Sequence, residues 1–245
     1  MFKKTVEKFS NDGTPIYRIS TNSRQSVGFN EPNAVDVDDD GNIYIADKDN
    51  DRVVVLTSSG EFSYSIGEKS SCTDPGCFNE VVDLDVSNRK LFVADTNNAR
   101  IQVFNSASGS FEYSIGGVTW GTGPDEFYSI SGIAVDDNTG KIYVSEEYLY
   151  YIKVFSSSGA FEYTIGSGLD DDAPGSLYYP KQLAIDANSN IYVAENENQR
   201  VSVFTSDGTF QYSITNNFGA SLGVDIDTDQ NIYIQRSRVI RIFPK

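Results

Sequence analysis

Apolar residues in this chain come in short runs broken by Gly, Asp, Asn and Ser, and nowhere do they keep the 3.6-residue spacing of a helix. One unit shows the pattern clearly. Residues 34–37 (Ala-Val-Asp-Val) predict a strand a, 42–46 a strand b, 52–56 a strand c and 62–66 a strand d. Asp38-Asp39-Asp40-Gly41 and Thr57-Ser58-Ser59-Gly60 supply turns between a and b and between c and d. Strands a and b are apolar on both faces, as in a sheet covered on both sides. Strand d alternates, with Phe62, Tyr64 and Ile66 on one face and Ser63 and Ser65 on the other, as expected of a half-covered outer strand. The unit recurs. Ile43, Leu91, Ile142, Ile191 and Ile232 are equivalent and lie 48, 51, 49 and 41 residues apart. Periods of this length belong to propellers and solenoids.

The repeated wording is specific. Asn30-Glu31-Pro32-Asn33-Ala34-Val35-Asp36 leads into Gly41-Asn42-Ile43-Tyr44-Ile45-Ala46-Asp47, and Asn98-Ala99-Arg100-Ile101-Gln102-Val103-Phe104 closes the same unit one copy later. Ser131-Gly132-Ile133-Ala134-Val135-Asp136 repeats the opening. These motifs resemble the NHL repeat, and the resemblance covers residues 29–245. It implies an all-β fold, a β-propeller of four-stranded antiparallel blades. Counting strands a and b gives five blades in a single domain, 1–245, at about 29–67, 77–116, 126–166, 176–215 and 221–245. The last copy lacks a strand d. Residues 14–20, containing Ile16-Tyr17-Arg18-Ile19, read as that strand and are expected to close the ring from the N-terminus. Val6-Glu7-Lys8-Phe9 reads as an additional strand c, which leaves an incomplete six-bladed propeller as the alternative.

Charge narrows the function. Nineteen basic against 35 acidic residues give a net charge of −16, which opposes nucleic-acid backbones and anionic membranes. The chain has no histidine, so Ser-His-Asp and Cys-His mechanisms are excluded within it. No apolar run approaches the ~20 residues of a membrane span, and Met1-Phe2-Lys3-Lys4 has no apolar core behind it to read as a signal peptide. Cys72 and Cys77 flank an Asp74-Pro75-Gly76 turn, which favours a small disulfide loop over two free thiols and argues for an extracellular or cell-surface setting.

Antiparallel strands alternate direction, so the b–c and d–a loops share one face. The c–d loops are short and alike, whereas the d–a loops at 68–80, 117–128 and 167–180 are long and differ, which places binding on their face. Carboxylates Asp47, Asp95, Glu146 and Glu195 precede Arg52, Arg100 and Arg200 by five residues, and read as ion pairs ordering the b–c turns. The third copy departs from the rule, with Tyr151 in the arginine position of Glu146-Glu147-Tyr148-Leu149-Tyr150-Tyr151. Around it the sequence sets Trp120, Asp170-Asp171-Asp172 and Tyr178-Tyr179. Trp120, Tyr148, Tyr150, Tyr151, Asp171 and Tyr179 are therefore the candidate ligand site, suited to stacking on a sugar or caging a cation.

Asp36, Asp38 and Asp40 have the alternating oxygens of a calcium loop but lack the later bidentate glutamate. Ca2+ there or in the central channel is the one cofactor to consider. The expectation is a non-catalytic binding or assembly module for a protein or carbohydrate partner, with no nucleic-acid binding and no membrane insertion. The alternative, known among propellers that this chain resembles, is a calcium-dependent lyase or lactonase using carboxylate ligands.

Overall fold

The structure is a computed structural model that describes residues 5–10, 13–20, 28–67, 72–117, 119–215, 223–236 and 239–243. Of the positions used above, 1–4, 68–71, 118, 221–222, 237–238 and 244–245 lie outside the described residues. The strands in order are β1 (Thr5–Phe9), β2 (Pro15–Ser20), β3 (Pro32–Val37), β4 (Ile43–Asp47), β5 (Arg52–Leu56) and β6 (Phe62–Ile66). They continue with β7 (Val81–Ser87), β8 (Lys90–Asp95), β9 (Arg100–Asn105), β10 (Phe111–Gly116), β11 (Ile130–Val135), β12 (Ile142–Glu146), β13 (Tyr151–Phe155) and β14 (Phe161–Ile165). The last are β15 (Pro180–Ile185), β16 (Ile191–Glu195), β17 (Arg200–Phe204), β18 (Phe210–Thr215), β19 (Gly223–Ile226), β20 (Ile232–Arg236) and β21 (Val239–Phe243).

Four sheets have four strands in sequence order, β3–β6, β7–β10, β11–β14 and β15–β18; β19–β21 form a three-stranded sheet and β1–β2 a two-stranded one. Neighbouring strands run antiparallel, and the register β4 to β5 (Ile43 opposite Leu56, Asp47 opposite Arg52) is repeated by β16 to β17 (Ile191 opposite Phe204, Glu195 opposite Arg200). The chain divides into two compact units, Met1–Asn98 with Gln102–Tyr113, and Ala99–Ile101 with Ser114–Lys245. In the first, β3 lies beside β7; in the second, β11 lies beside β15 and β15 beside β19.

Within each unit the core lies between adjacent sheets, as residues apolar on both faces require. Tyr44, Val53, Val55 and Ile66 of the first sheet meet Phe78, Leu84, Leu91, Val93 and Phe104 around the second. Tyr143, Ile152 and Val154 of the third meet Leu177, Leu183, Val193 and Phe204 in the same way. Each such aliphatic side chain, fully buried, contributes roughly 1.5–3 kcal/mol.

Two repeated devices fix the turns. Strand d ends in Ile66-Gly67, Ile115-Gly116 and Ile165-Gly166, with the glycines at φ +86, +77 and +106. A Cβ at Gly67 would lie 2.5 Å from the Asp51 carbonyl, and one at Gly116 2.7 Å from the Ala99 carbonyl, so a side chain has no room there. In the a–b turns an Asp accepts from the Asn four residues on and the Tyr six residues on. Asp38 takes the Asn42 backbone N–H (2.8 Å), Asn42 Nδ2 (2.9 Å) and the Tyr44 hydroxyl (3.0 Å), and Asp227 does the same with Asn231 and Tyr233. Tyr44 Oη also lies 2.9 Å from the Ser106 carbonyl, and the Tyr143 hydroxyl donates to the Ser206 carbonyl at 3.4 Å, so this tyrosine ties the first sheet to the c–d turn of the second and the third to that of the fourth. Burial raises the pKa of Tyr44, Tyr143 and Tyr192.

The expected closing strand is corrected. Residues 14–20 do not complete the last sheet: β2 pairs with β1, Val6 opposite Ile19 and Glu7 opposite Arg18. The short turn, with Gly13 N–H donating to the Ser10 carbonyl, makes the local hairpin cheap in loop entropy. This hairpin packs on the first sheet, where Val6, Tyr17 and Ile19 join Ile43, Ile45, Val54 and Leu56.

Candidate functional site

The repeated carboxylate at the end of strand b is the foundation of the b–c turns in the four four-stranded sheets. Asp47 accepts from the Asn30 N–H (2.6 Å), Asn50 Nδ2 (2.7 Å) and Arg52 Nε (2.8 Å). Glu195 accepts from the Tyr178 N–H (3.0 Å), Asn198 Nδ2 (2.7 Å) and Arg200 Nε (2.8 Å). The arginines also reach carbonyls of the preceding d–a loop, Gly28 for Arg52 and Asp172 and Ser176 for Arg200. These pairs thus clamp loop to turn, the structural role expected of them. In the second sheet Asp95 accepts from the Asn79 N–H (2.7 Å) and Gln102 Nε2 (3.1 Å). Asn98 and Gln102 in turn donate to the carbonyls of Cys72 and Cys77, which form the expected disulfide.

The third sheet keeps the clamp by another residue. Lys153, two positions after Tyr151 and so on the same face of β13, brings Nζ to 3.8 Å from Glu146 Oε1, with both side chains at most 1% exposed. Its ammonium donates to the Gly123 carbonyl (2.6 Å) and the Glu126 carbonyl and lies 5.3 Å over the Phe127 ring. Burial lowers the Lys153 pKa, against the pull of Glu146, and raises that of Glu146, against the Ser129 N–H bond and Lys153. Sequence reasoning missed Lys153. A mid-strand lysine between Ile152 and Val154, where the first, second and fourth copies have Val54, Gln102 and Ser202, was the available signal.

With the clamp moved inward, the arginine position and its neighbours are released. The turn is a 3-10 segment, Glu147–Leu149, followed by Tyr150 at φ +58. The other copies share this left-handed residue, as Asp51, Ala99 and Gln199, so the backbone belongs to the repeat and only the side chain is unusual. Tyr179 is likewise left-handed, at φ +52, equivalent to Glu31 and Glu80.

Four tyrosines meet here. Tyr148 and Tyr179 stand edge to face at 5.6 Å, Tyr150 and Tyr179 at 5.3 Å, Tyr150 and Tyr178 at 5.4 Å, and Tyr178 and Tyr179 lie tilted at 4.9 Å. Hydrogen bonding with Tyr179, followed by burial and the charge of Asp170, pushes the Tyr150 hydroxyl up to about 12. Burial, with Tyr179, Asp170 and Glu197 behind it, raises Tyr178. Glu147 pairs with Lys181 at the edge of the group. Of the residues singled out from sequence, Tyr148, Tyr150 and Tyr179 are brought together, and Tyr178 completes them.

The remaining candidates fall elsewhere. Tyr151 is half-buried, and burial and Glu146 push it up to about 12. Asp171 turns its carboxylate to the Ala173 N–H (3.2 Å). Trp120, 52% exposed, sits in its own loop, bridged to Phe127, and has no ring contact with the tyrosines among the described residues. Glu126 closes that loop by accepting from Thr119 Oγ1 and the Gly123 N–H, both at 3.0 Å, which lowers its pKa. Asp36 accepts from the Val37 N–H (2.8 Å) and the Val86 N–H (2.6 Å), and Asp38 from the donors given above. Their oxygens therefore face N–H and O–H groups, and among the described residues no three acidic or cysteine side chains converge on one point.

Antiparallel four-stranded sheets that repeat in order and pack face against face are the blades of a β-propeller. A family profile described as a 6-bladed beta-propeller matches residues 71–182, and the NHL repeat profile matches 29–56 and 177–204. NHL repeat-containing protein 3 of Homo sapiens is 33% identical over 120 residues, 45% of this chain and 34% of that protein. Its Mus musculus counterpart is 33% identical over 117 residues, 44% of this chain and 33% of that protein, so the match spans about a third of these relatives. Among solved structures, a chain of a nidogen/laminin complex superposes with a TM-score of 0.69 at 13% identity, covering 95% of this chain and 82% of that one. Virginiamycin B lyase from Staphylococcus aureus gives a TM-score of 0.61 at 16% identity, covering 91% of this chain and 71% of the other. These structures share the fold. The chain thus carries NHL repeats at 29–56 and 177–204 and has the β-propeller fold.

Proposed function

We propose that this protein is a non-catalytic binding or assembly module, working outside the cell, that engages a protein or carbohydrate partner on the face carrying its b–c and d–a loops. The observation that carries the reading is the tyrosine group at 148, 150, 178 and 179, which occupies turn positions that hold Asp49, Asp51, Asn79 and Glu80 at the junction of the first two blades. Tyrosine clusters on loops supply large contact area at low conformational-entropy cost. The Cys72–Cys77 bridge supports an oxidising setting. The test is a screen of the immobilised protein against extracellular proteins and a glycan array, repeated with Tyr148→Ala/Tyr179→Ala. Partners lost with the double variant support the reading; partners kept at full strength sink it.

The enzyme alternative has weaker support. Its carboxylates, Asp36 and Asp38, already accept backbone and side-chain hydrogens. Melting with calcium and with chelator tests it, since a shift of several degrees would restore a bound ion to the account.

We also read the β1–β2 hairpin as the outer half of a sixth blade position. Tyr17 packs on Gly60 as Tyr64 packs on Gly109 and Tyr163 on Gly208, so β2 meets the first blade as strand d of the first and third blades meets the blade that follows it. This supports the six-blade reading over the five-blade one.

A further inference from the structure

The geometry points to a basic peptide segment as the occupant of the tyrosine group, with an arginine or lysine side chain entering among the rings. This inference rests on the binding reading above and names the chemistry of the partner. Three features favour a cation over a sugar. First, the rings are steeply inclined to one another, with interplanar angles of 89° for Tyr148 and Tyr179 and 63° for Tyr150 and Tyr179. Rings at steep angles to one another offer no common flat platform for a sugar to stack on, whereas the exposed ring surface of Tyr148 is enough to meet a cation. Second, the surrounding charge is negative. Asp170 acts electrostatically on both Tyr150 and Tyr178, Glu197 acts on Tyr178, and the nearby lysine, Lys181, is paired with Glu147. Third, the junction holds an unmet acceptor. Asn196 donates its backbone N–H to the Tyr179 carbonyl (3.2 Å), and its side-chain oxygen is shielded from solvent without a hydrogen-bond partner. A guanidinium brings both a planar face for the rings and several N–H donors.

A net charge of −16 attracts any basic peptide weakly, so the experiment must separate the site from the field. Calorimetry at 0.15 M salt compares a Gly-Ser peptide bearing three arginines with its citrulline counterpart, whose neutral urea keeps the planar shape and part of the N–H donors and loses the charge. Both are titrated into the wild-type chain and into Tyr148→Ala, whose 54%-exposed side chain is removable without disturbing the core. The expected result is binding of the arginine peptide, at least tenfold weaker for the citrulline peptide, and about tenfold weaker for Tyr148→Ala. Equal binding of the arginine peptide to both proteins would overturn the inference, because the attraction is then the general field. Equal binding of the two peptides to wild type, lost in Tyr148→Ala, would overturn the cation while leaving the binding site standing. No peptide binding, with a glycan bound through Tyr148, would do the same. Tyr179→Phe supplies a second variant that keeps the ring; it is expected to bind the arginine peptide within about threefold of wild type.

Discussion

Two junctions of the same repeat are built from opposite chemistry. Between the first and second blades, Asp51 Oδ1 accepts the Glu80 N–H at 2.8 Å and Lys48 pairs with Glu80 at 2.7 Å. Between the third and fourth, Tyr150 and Tyr179 hold those two positions, and their rings touch. Backbone shape is common to both, left-handed at Asp51 and Tyr150 and again at Glu80 and Tyr179. The polar junction satisfies its own groups and offers little to a partner. The aromatic one leaves ring surface exposed, an arrangement the fold itself does not require. The difference separates what the repeat needs from what it carries.

The largest expected effect concerns the clamp that makes the aromatic junction possible. Lys153→Ala strands the buried Glu146 carboxylate and should cost about 3–5 kcal/mol in urea denaturation. Lys153→Met with Glu146→Gln, which removes both charges, should recover most of that; a double variant as unstable as the single one would mean that Lys153 acts by packing alone. Opening Cys72–Cys77 with reductant removes a short cross-link and should lower stability by about 2 kcal/mol, read as a fall in melting temperature. At the polar junction, Asp51→Ala leaves the Glu80 N–H without its acceptor and should cost about 1.5 kcal/mol. Tyr148→Ala should change stability by less than about 0.5 kcal/mol, since its side chain is mostly in solvent. A similar cost at both sites would erase the distinction between frame and site.

A pH experiment sharpens the same contrast. The Tyr150 and Tyr151 hydroxyls are held up at about 12, above the free value near 10. A raised folded pKa favours the protonated, folded form, so this contribution is complete below pH ~10 and is lost as pH rises through about 12. Tyr151→Phe should therefore flatten the fall in stability between those limits. An unchanged slope would remove Tyr151 from the account.

Much of the fold was legible because strands leave a local mark. Runs such as Ile43 to Ala46, apolar on both faces, and the Ile-Gly ends of strand d follow from burial and from one crowded carbonyl. The hairpin was misread because Ile16 to Ile19 carry a strand d pattern that cannot say which strand c they pair with; the adjacent Val6 to Phe9 took the pairing. In the candidate site, the Tyr-rich turn was visible as a broken rule. Its cause was not, since the rule was restored two residues later by Lys153, which lies opposite Val144 and reaches Glu146 diagonally along the same face. Trp120 was grouped with the tyrosines by loop order alone, and its loop closes on Glu126 instead.

The most direct measurement sets the two junctions against each other. Affinity for the three-arginine peptide is compared in Tyr148→Ala/Tyr179→Ala and in Lys48→Ala/Glu80→Ala, each checked for a native melt. The account predicts a loss of tenfold or more in the first and a change within about threefold in the second. An equal loss in both, or a loss confined to the second, would contradict it.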